Sequence, residues 1–264
     1  MNKRVLSSFS SEQLDCLIHH FRLTMNVSEH PALSIPSTEL LDEAKCSAFV
    51  HRLEAVFPEQ SAIVKASMFA KRYSFLIIAS SLYSMSMFNK ALDYSIENCY
   101  IESMHQGEIW LPKVRVADWH VTEPEEGGRE KWREAVVASI FAGNIAKVWG
   151  ALSKAANIPS TVLWENTAVY VYWLYEKRIG EEADEQQKSR ICEDFQYLLH
   201  RAPASVFGTA ENPIAKFNSA KCGDSASGQP IRYRKTCCYY YQTSPDQTCC
   251  STCPRNHSFN IHRE

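Results

Sequence analysis

The chain has 264 residues, 45% hydrophobic and 22% charged, with a net charge of −2. These values describe an ordinary globular protein with enough length for one large domain or two small ones. They argue against a nucleic-acid binder or a protein held on a membrane surface by charge.

In chain order, the body reads as helices. Ser10-Ser11-Glu12 precedes a stripe of Leu14, Leu17, Ile18 and Phe21, with serine at a helix N-cap. Ser37-Thr38 opens a second helix through Leu40, Leu41, Ala44, Ala48, Phe49, Leu53 and Phe57, stopped by Pro58. A third runs from about Ser61 to Phe88, apolar on most faces, and is expected to be the central buried helix. Its Tyr73–Phe88 stretch is the most apolar of the chain, but serines interrupt it and it falls short of a membrane span. The alternation of Ser95–Ser103 and Glu108–Val121 around His105-Gln106-Gly107 predicts a β-hairpin at about 95–121, with Pro112 placing the second strand at an edge or after it. Helices are expected over 129–156, over Val162–Tyr175 with Pro159 in the first turn, and over Glu182–His200. An irregular arm rich in glycine and proline covers 201–236. The expected fold is mainly α: a helical body over residues 1–220 with a small β insertion, and a short irregular metal module over 221–264.

That last segment differs from the rest in charge and in sulfur. It carries six basic side chains against three acidic ones, net +3, whereas the remainder carries 22 and 27, net −5. Five of the ten cysteines lie in the last 28 residues, as Cys237-Cys238 and Cys249-Cys250-x-x-Cys253. With no secretory leader in the sequence, a cytoplasmic location is expected. Disulfides are rare there and clustered thiols bind metals or do redox chemistry. Three readings of the spacing stand side by side. A structural zinc site wants two CxxC-like units, and only Cys250–Cys253 is one. An iron–sulfur cluster accepts more varied spacing, including adjacent thiolates that diverge from the backbone. A dithiol pair at Cys250 and Cys253 leaves the other three cysteines unused.

The run Arg234-Lys-Thr-Cys-Cys-Tyr-Tyr-Tyr…Cys250-Ser-Thr-Cys253-Pro-Arg255 resembles the C-terminal signature of FhuF-type ferric siderophore reductases, two adjacent cysteines, ten residues, then Cys-x-x-Cys. The blocks Ala70–Phe75 and Ser160–Ala168 look similar to that family as well, as does the C-terminal helical body of IucA/IucC-type siderophore synthetases. The likeness covers roughly residues 60–255, and only the cysteine block is specific. It implies a [2Fe–2S] cluster held by Cys237, Cys238, Cys250 and Cys253. Eleven residues separate Cys238 from Cys250 and ten separate it from Cys249, so Cys249 stands as the substitute for Cys250.

The implied activity is one-electron reduction of a ferric siderophore of hydroxamate or citrate-hydroxamate type, releasing Fe(II). No G-x-G-x-x-G follows a strand, so an external ferredoxin or reductase is expected as donor. Neither nucleic-acid binding nor membrane insertion is expected. A zinc-stapled binding protein and a cluster-based sensor are the rival readings. Arg72, a cation in an apolar helix, is expected to meet a carboxylate of the protein or of the substrate. Trp164 is a candidate for the substrate cleft. Arg232, Arg234, Arg255, His257 and His262 form a basic rim that would receive the ferric complex, Arg234 and Arg255 being candidate substrate-binding residues, beside Tyr239-Tyr240-Tyr241, tyrosines that either shield the centre or anchor the module.

Overall fold

The computed structural model describes residues 8–29, 31–222, 230–244 and 246–255. The fold is mainly α with a small mixed sheet, as the sequence predicts. Helix α1 (Ser11–Phe21) starts at a capping box in which Ser10 and Gln13 exchange side-chain-to-backbone bonds. The single helix expected between Ser37 and Phe57 is broken. A 3₁₀ turn covers Ser37–Leu41, and Asp42 then caps α2 (Glu43–Arg52) by accepting from the Lys45 amide. Asp42 breaks the first run because its carboxylate competes for the free amides that open the next helix.

Helix α3 (Ala62–Tyr83), extended by a π turn over Ser84–Phe88, is the buried axis of the molecule. It packs chiefly against α6 (Ser160–Trp173). Small buried polar residues let the two helices approach. Ser74 Oγ lies 3.1 Å from Thr167 Oγ1, and Asn166 Nδ2 donates to Ser67 Oγ at 3.2 Å. Trp149 donates to the same Thr167 hydroxyl at 3.0 Å, joining α5 (Ala146–Ala156) to this pair.

Helix α4 (Arg129–Ile140) runs through a π turn into α5, giving one helical run of 28 residues. Among the described residues it alone is long and apolar enough to cross a membrane by length and composition, and half of its apolar window is buried inside the protein. Its first turns are tied to α7 (Glu185–Gln196) by a buried ion network. Asp194, fully buried, receives both Arg129 Nη atoms at 2.8 Å, Arg133 Nη1 at 3.2 Å and Ser86 Oγ at 2.8 Å.

The expected hairpin forms, more elaborately than the alternation suggests. Strands β3 (Cys99–Glu102) and β6 (Lys113–Val116) pair antiparallel, joined through a small two-stranded tip of β4 (His105–Gln106) and β5 (Ile109–Trp110). Pro112 falls just before β6, outside the ladder. Two further strands, β1 (Leu23–Thr24) and β2 (Ile35–Pro36), complete a sheet of order β1-β6-β3-β2, with β1 parallel to β6. The arm after residue 201 is less irregular than expected, since it contains the short helix α8 (Pro213–Phe217), capped by Asn212 with proline in the first turn.

Candidate metal centre

The cysteine segment is fastened to the α3–α6 pair by three residues of those helices. Glu165 of α6, 2% exposed, accepts the backbone amides of Lys235 at 2.6 Å and Thr236 at 2.8 Å, together with the Thr236 hydroxyl. Arg234 Nε lies 3.5 Å from the same carboxylate. Ser67 of α3, fully buried, donates to the Cys238 carbonyl at 2.8 Å. Lys71, one turn further along α3, brings its ammonium to 3.9 Å from Cys238 Sγ. A carboxylate buried on one helix and a cation on the next therefore fix the approach of Cys237 and Cys238. Buried charge is tolerated only where such partners meet it.

The second half of the segment folds back on the first. The Arg234 amide donates to Thr252 O at 2.9 Å, and the Cys253 amide donates to Cys250 O at 3.0 Å, which closes the Cys-x-x-Cys turn. Cys238 Sγ and Cys250 Sγ thereby stand 3.5 Å apart. Two thiolates on one tetrahedral ion, at bonds of about 2.3 Å, are separated by about 3.8 Å. These two sulfurs are thus already close to the spacing of ligands on a shared metal atom. Cys249 interacts with Cys253, and burial is the first cause that holds its thiol above the usual range. Cys238 and Cys253 are buried, and Cys237, Cys249 and Cys250 are half-exposed. Among the described residues, no three His, Cys, Asp or Glu side chains converge around a single point.

The electrostatics favour thiolate at Cys238. The Cys238 thiol is pushed down to about 5, first by the hydrogen bond with Cys250 and then by Lys71 and Arg234, against the opposing effect of burial. Cys250 moves upward as the proton-holding partner of the pair. Arg234 is only 6% exposed, and its Nη2 has no hydrogen-bond partner among the described residues. A buried guanidinium nitrogen without a partner is costly unless an anion faces it. Five soft thiols with two cations beside them, one incompletely paired, are a donor set that fits a metal core carrying net negative charge.

The other residues singled out in the sequence take varied places. Arg72 meets no carboxylate among the described residues. It donates to the Met68 and Trp110 carbonyls at 3.1 Å and lies over the rings of Phe57 and Trp110, its pKa lowered to about 10 by burial. Trp164 is 7% exposed and stacks on Phe141 in the core. Arg255 lies over the Tyr241 ring at 4.3 Å, and Lys71 over Tyr240 at 4.8 Å, while Tyr239 packs against the core. The tyrosines therefore both anchor the segment and carry its cations. Tyr239 adopts φ +60°, a left-handed conformation that turns the chain sharply just after Cys238. His257 and His262 lie outside the described residues.

Sequence reasoning missed Ser67, Lys71 and Glu165, although each lies in or beside the two blocks that look similar to the reductase family. Glu165 carried a legible signal: an acid amid Leu163, Trp164 and Ala168 needs a buried partner.

Residues 67–224, more than half of the chain, match the family described as ferric iron reductase FhuF-like transporter. The chain belongs to this FhuF-like ferric iron reductase family. No curated protein matches it. The matched region contains α3 from Ser67 onward and all of α6, the two helices that hold the cysteine segment, and ends before Cys237. Family membership therefore rests on the helical body, while the thiol-bearing segment stands on its own geometry.

Proposed function

We propose that this chain is a cytoplasmic one-electron reductase of ferric siderophores, with a [2Fe–2S] cluster held by Cys237, Cys238, Cys250 and Cys253. The observation that carries this reading is the docking of the cysteine segment onto the family-matching body, through Ser67 and Glu165 and beside Lys71. Residues 1–220 would form the platform and 221–264 the metal module. A close Cys238–Cys250 pair, with Cys237 and Cys253 at adjacent and x-x spacings in the same segment, suits a core of two metal atoms better than a single ion.

When bound, such a cluster supplies one electron at a time to a ferric chelate. Reduced iron is held far less tightly by the hard oxygen donors of a siderophore, so one electron suffices to loosen it. The protein's own groups do the remaining work. Lys71 and Arg234 offset the charge of the thiolates, the Glu165 carboxylate holds the Lys235–Thr236 backbone in place, and the buried Cys238 and Cys253 positions keep water from two of the sulfurs. With no dinucleotide-binding fingerprint in the sequence, the electron is expected from a separate ferredoxin or reductase.

The test is chelator-trapped ferrous release from hydroxamate, citrate-hydroxamate and catecholate complexes, using anaerobically reduced protein. Release in excess of a Cys250→Ser control supports the reading. Equal release by the two proteins, or a colourless preparation holding one zinc per chain, would falsify it.

A further inference from the structure

A cavity of about 340 Å³ lies between α6 with its following π turn (Leu174–Arg178) and the returning strand of residues 230–234. That volume falls within the range of ligand sites. Ser251 and Thr252 line the cavity, and in the chain these are the two residues between Cys250 and Cys253. One of its walls is therefore the Cys-x-x-Cys loop itself. Trp173 supplies flat apolar surface, beside Tyr172, whose ring is covered by the Arg232 guanidinium at 4.3 Å.

The charges around the cavity are unevenly matched. Glu176 is occupied by Arg232, at 2.8 and 3.0 Å, and by Lys221 at 2.8 Å. Glu165 is occupied by Arg234 and by the Lys235 and Thr236 amides. Lys177, exposed and lining the cavity, has no acidic partner among the described residues. Arg234 lines it too, with Nη2 unpaired among the described residues and its charge felt by both Cys238 and Cys250. An exposed lysine without an acidic partner among the described residues, and one arginine nitrogen left over from the Glu165 ion pair, call for an anionic oxygen ligand with a flat or apolar portion.

We propose that this cavity seats one carboxylate-bearing arm of an anionic ferric chelate, anchored by Lys177 and Arg234, with the iron held at the Ser251–Thr252 edge. The proposal rests on the reductase reading and narrows its substrate class. A volume of this size takes one arm of a hexadentate chelate and leaves the metal outside, next to the loop that carries two of the thiols. The iron would then be separated from the thiols by little more than that loop.

The test uses redox-inert gallium(III) complexes, so that binding is read without electron transfer. The purified full-length protein is titrated calorimetrically with the gallium complex of a citrate-based dihydroxamate whose amino-acid arms bear further carboxylates outside the coordination sphere, and with that of a neutral trihydroxamate. Lys177→Ala is expected to weaken the carboxylate-bearing complex about fivefold, the scale of one partly screened ion pair, and Lys177→Glu to weaken it further. The neutral complex should be indifferent to both changes, and Lys188→Ala, on a distant exposed face, should leave both affinities unchanged. Equal losses for the two complexes, or an equal loss in Lys188→Ala, would overturn the proposal. So would binding of the carboxylate complex that is insensitive to Lys177. Iron analysis of the same wild-type preparation separates this claim from the cluster assignment. If carboxylate-selective, Lys177-dependent binding is found while the anaerobically purified wild type carries no iron, the cavity is right and the redox reading is wrong. If a cluster forms but the Lys177 dependence is absent, the reverse holds.

Discussion

Glu165→Gln is the most revealing single change outside the cysteines, because one carboxylate holds together the whole approach to Cys237. Its Oε1 accepts the Lys235 amide at 2.6 Å, and its Oε2 accepts the Thr236 amide at 2.8 Å and the Thr236 hydroxyl while facing Arg234 Nε at 3.5 Å. Glutamine offers one acceptor oxygen in place of two, and its amide nitrogen would face a backbone N–H. One hydrogen bond to a charged group is lost, at about 1.5–3 kcal/mol. Arg234 also loses its counter-charge in a buried place, which by itself costs about 3–5 kcal/mol where it is fully felt. These effects overlap, so a net loss of about 3 kcal/mol in local stability is a conservative expectation. Because the lost contacts join the cysteine segment to α6 rather than α6 to the core, the loss should appear as local opening. Hydrogen exchange with peptide-level mass spectrometry on anaerobic protein reads this directly. Amides of residues 234–238 should exchange about a hundredfold faster than in the wild type, as about 3 kcal/mol implies, while α3 stays protected. Wild-type exchange rates at 234–238 would refute the role given to Glu165, and faster exchange throughout α3 would show that it supports the core instead.

Three further outcomes are expected. Asp194→Asn leaves Arg129 and Arg133 sharing one neutral acceptor in a fully buried place, and should cost about 3–5 kcal/mol in equilibrium denaturation, with the midpoint shifted and the slope unchanged. For Glu176, burial pushes the carboxyl upward, but hydrogen bonds from Arg232 and Lys221 outweigh it and leave the pKa below the usual value. A depressed carboxylate stabilises the fold above its unfolded pKa, about 4.3, and loses that contribution as pH falls toward the lower folded value. Acid titration of arm-local exchange at residues 230–234 should therefore show a loss below about pH 4.3 that is absent in Glu176→Gln. Finally, Cys250→Ser should abolish bound iron and visible absorption while Cys249→Ser retains both, because Cys250 is the thiol paired with Cys238 at 3.5 Å. The opposite pattern would make Cys249 the ligand.

Much of the helical body was legible because its signals are local. The Ser10 cap, the apolar length of α3 and the alternation on either side of Gly107 each act within a few residues. The strands β1 and β2 have two residues each, too few for alternation to register, and Asp42 breaks a helix whose apolar spacing reads as continuous. At the site, thiols are unmistakable by type and spacing, but the residues that hold them come from helices far away in the chain. Lys71 lies 167 positions from Cys238, and Glu165 lies 71 from Thr236. Arg72 and Trp164 attracted functional readings because an arginine in an apolar helix and an aromatic in a motif have several possible uses. Their actual partners, two carbonyls with two rings and the Phe141 ring, are fixed only by tertiary packing. The cavity beside the Cys-x-x-Cys loop was invisible for the same reason, since it is assembled from α6, its π turn and the two returning segments.

Metal content and reducibility of the anaerobically purified chain bear most directly on all of this. The account predicts a red-brown protein with about two irons and two acid-labile sulfides per chain. Dithionite should bleach it and produce a paramagnetic resonance signal, and a stoichiometric ferric chelate should then discharge that signal. A chain that binds no iron, or one whose optical and resonance spectra do not respond to dithionite, would contradict it.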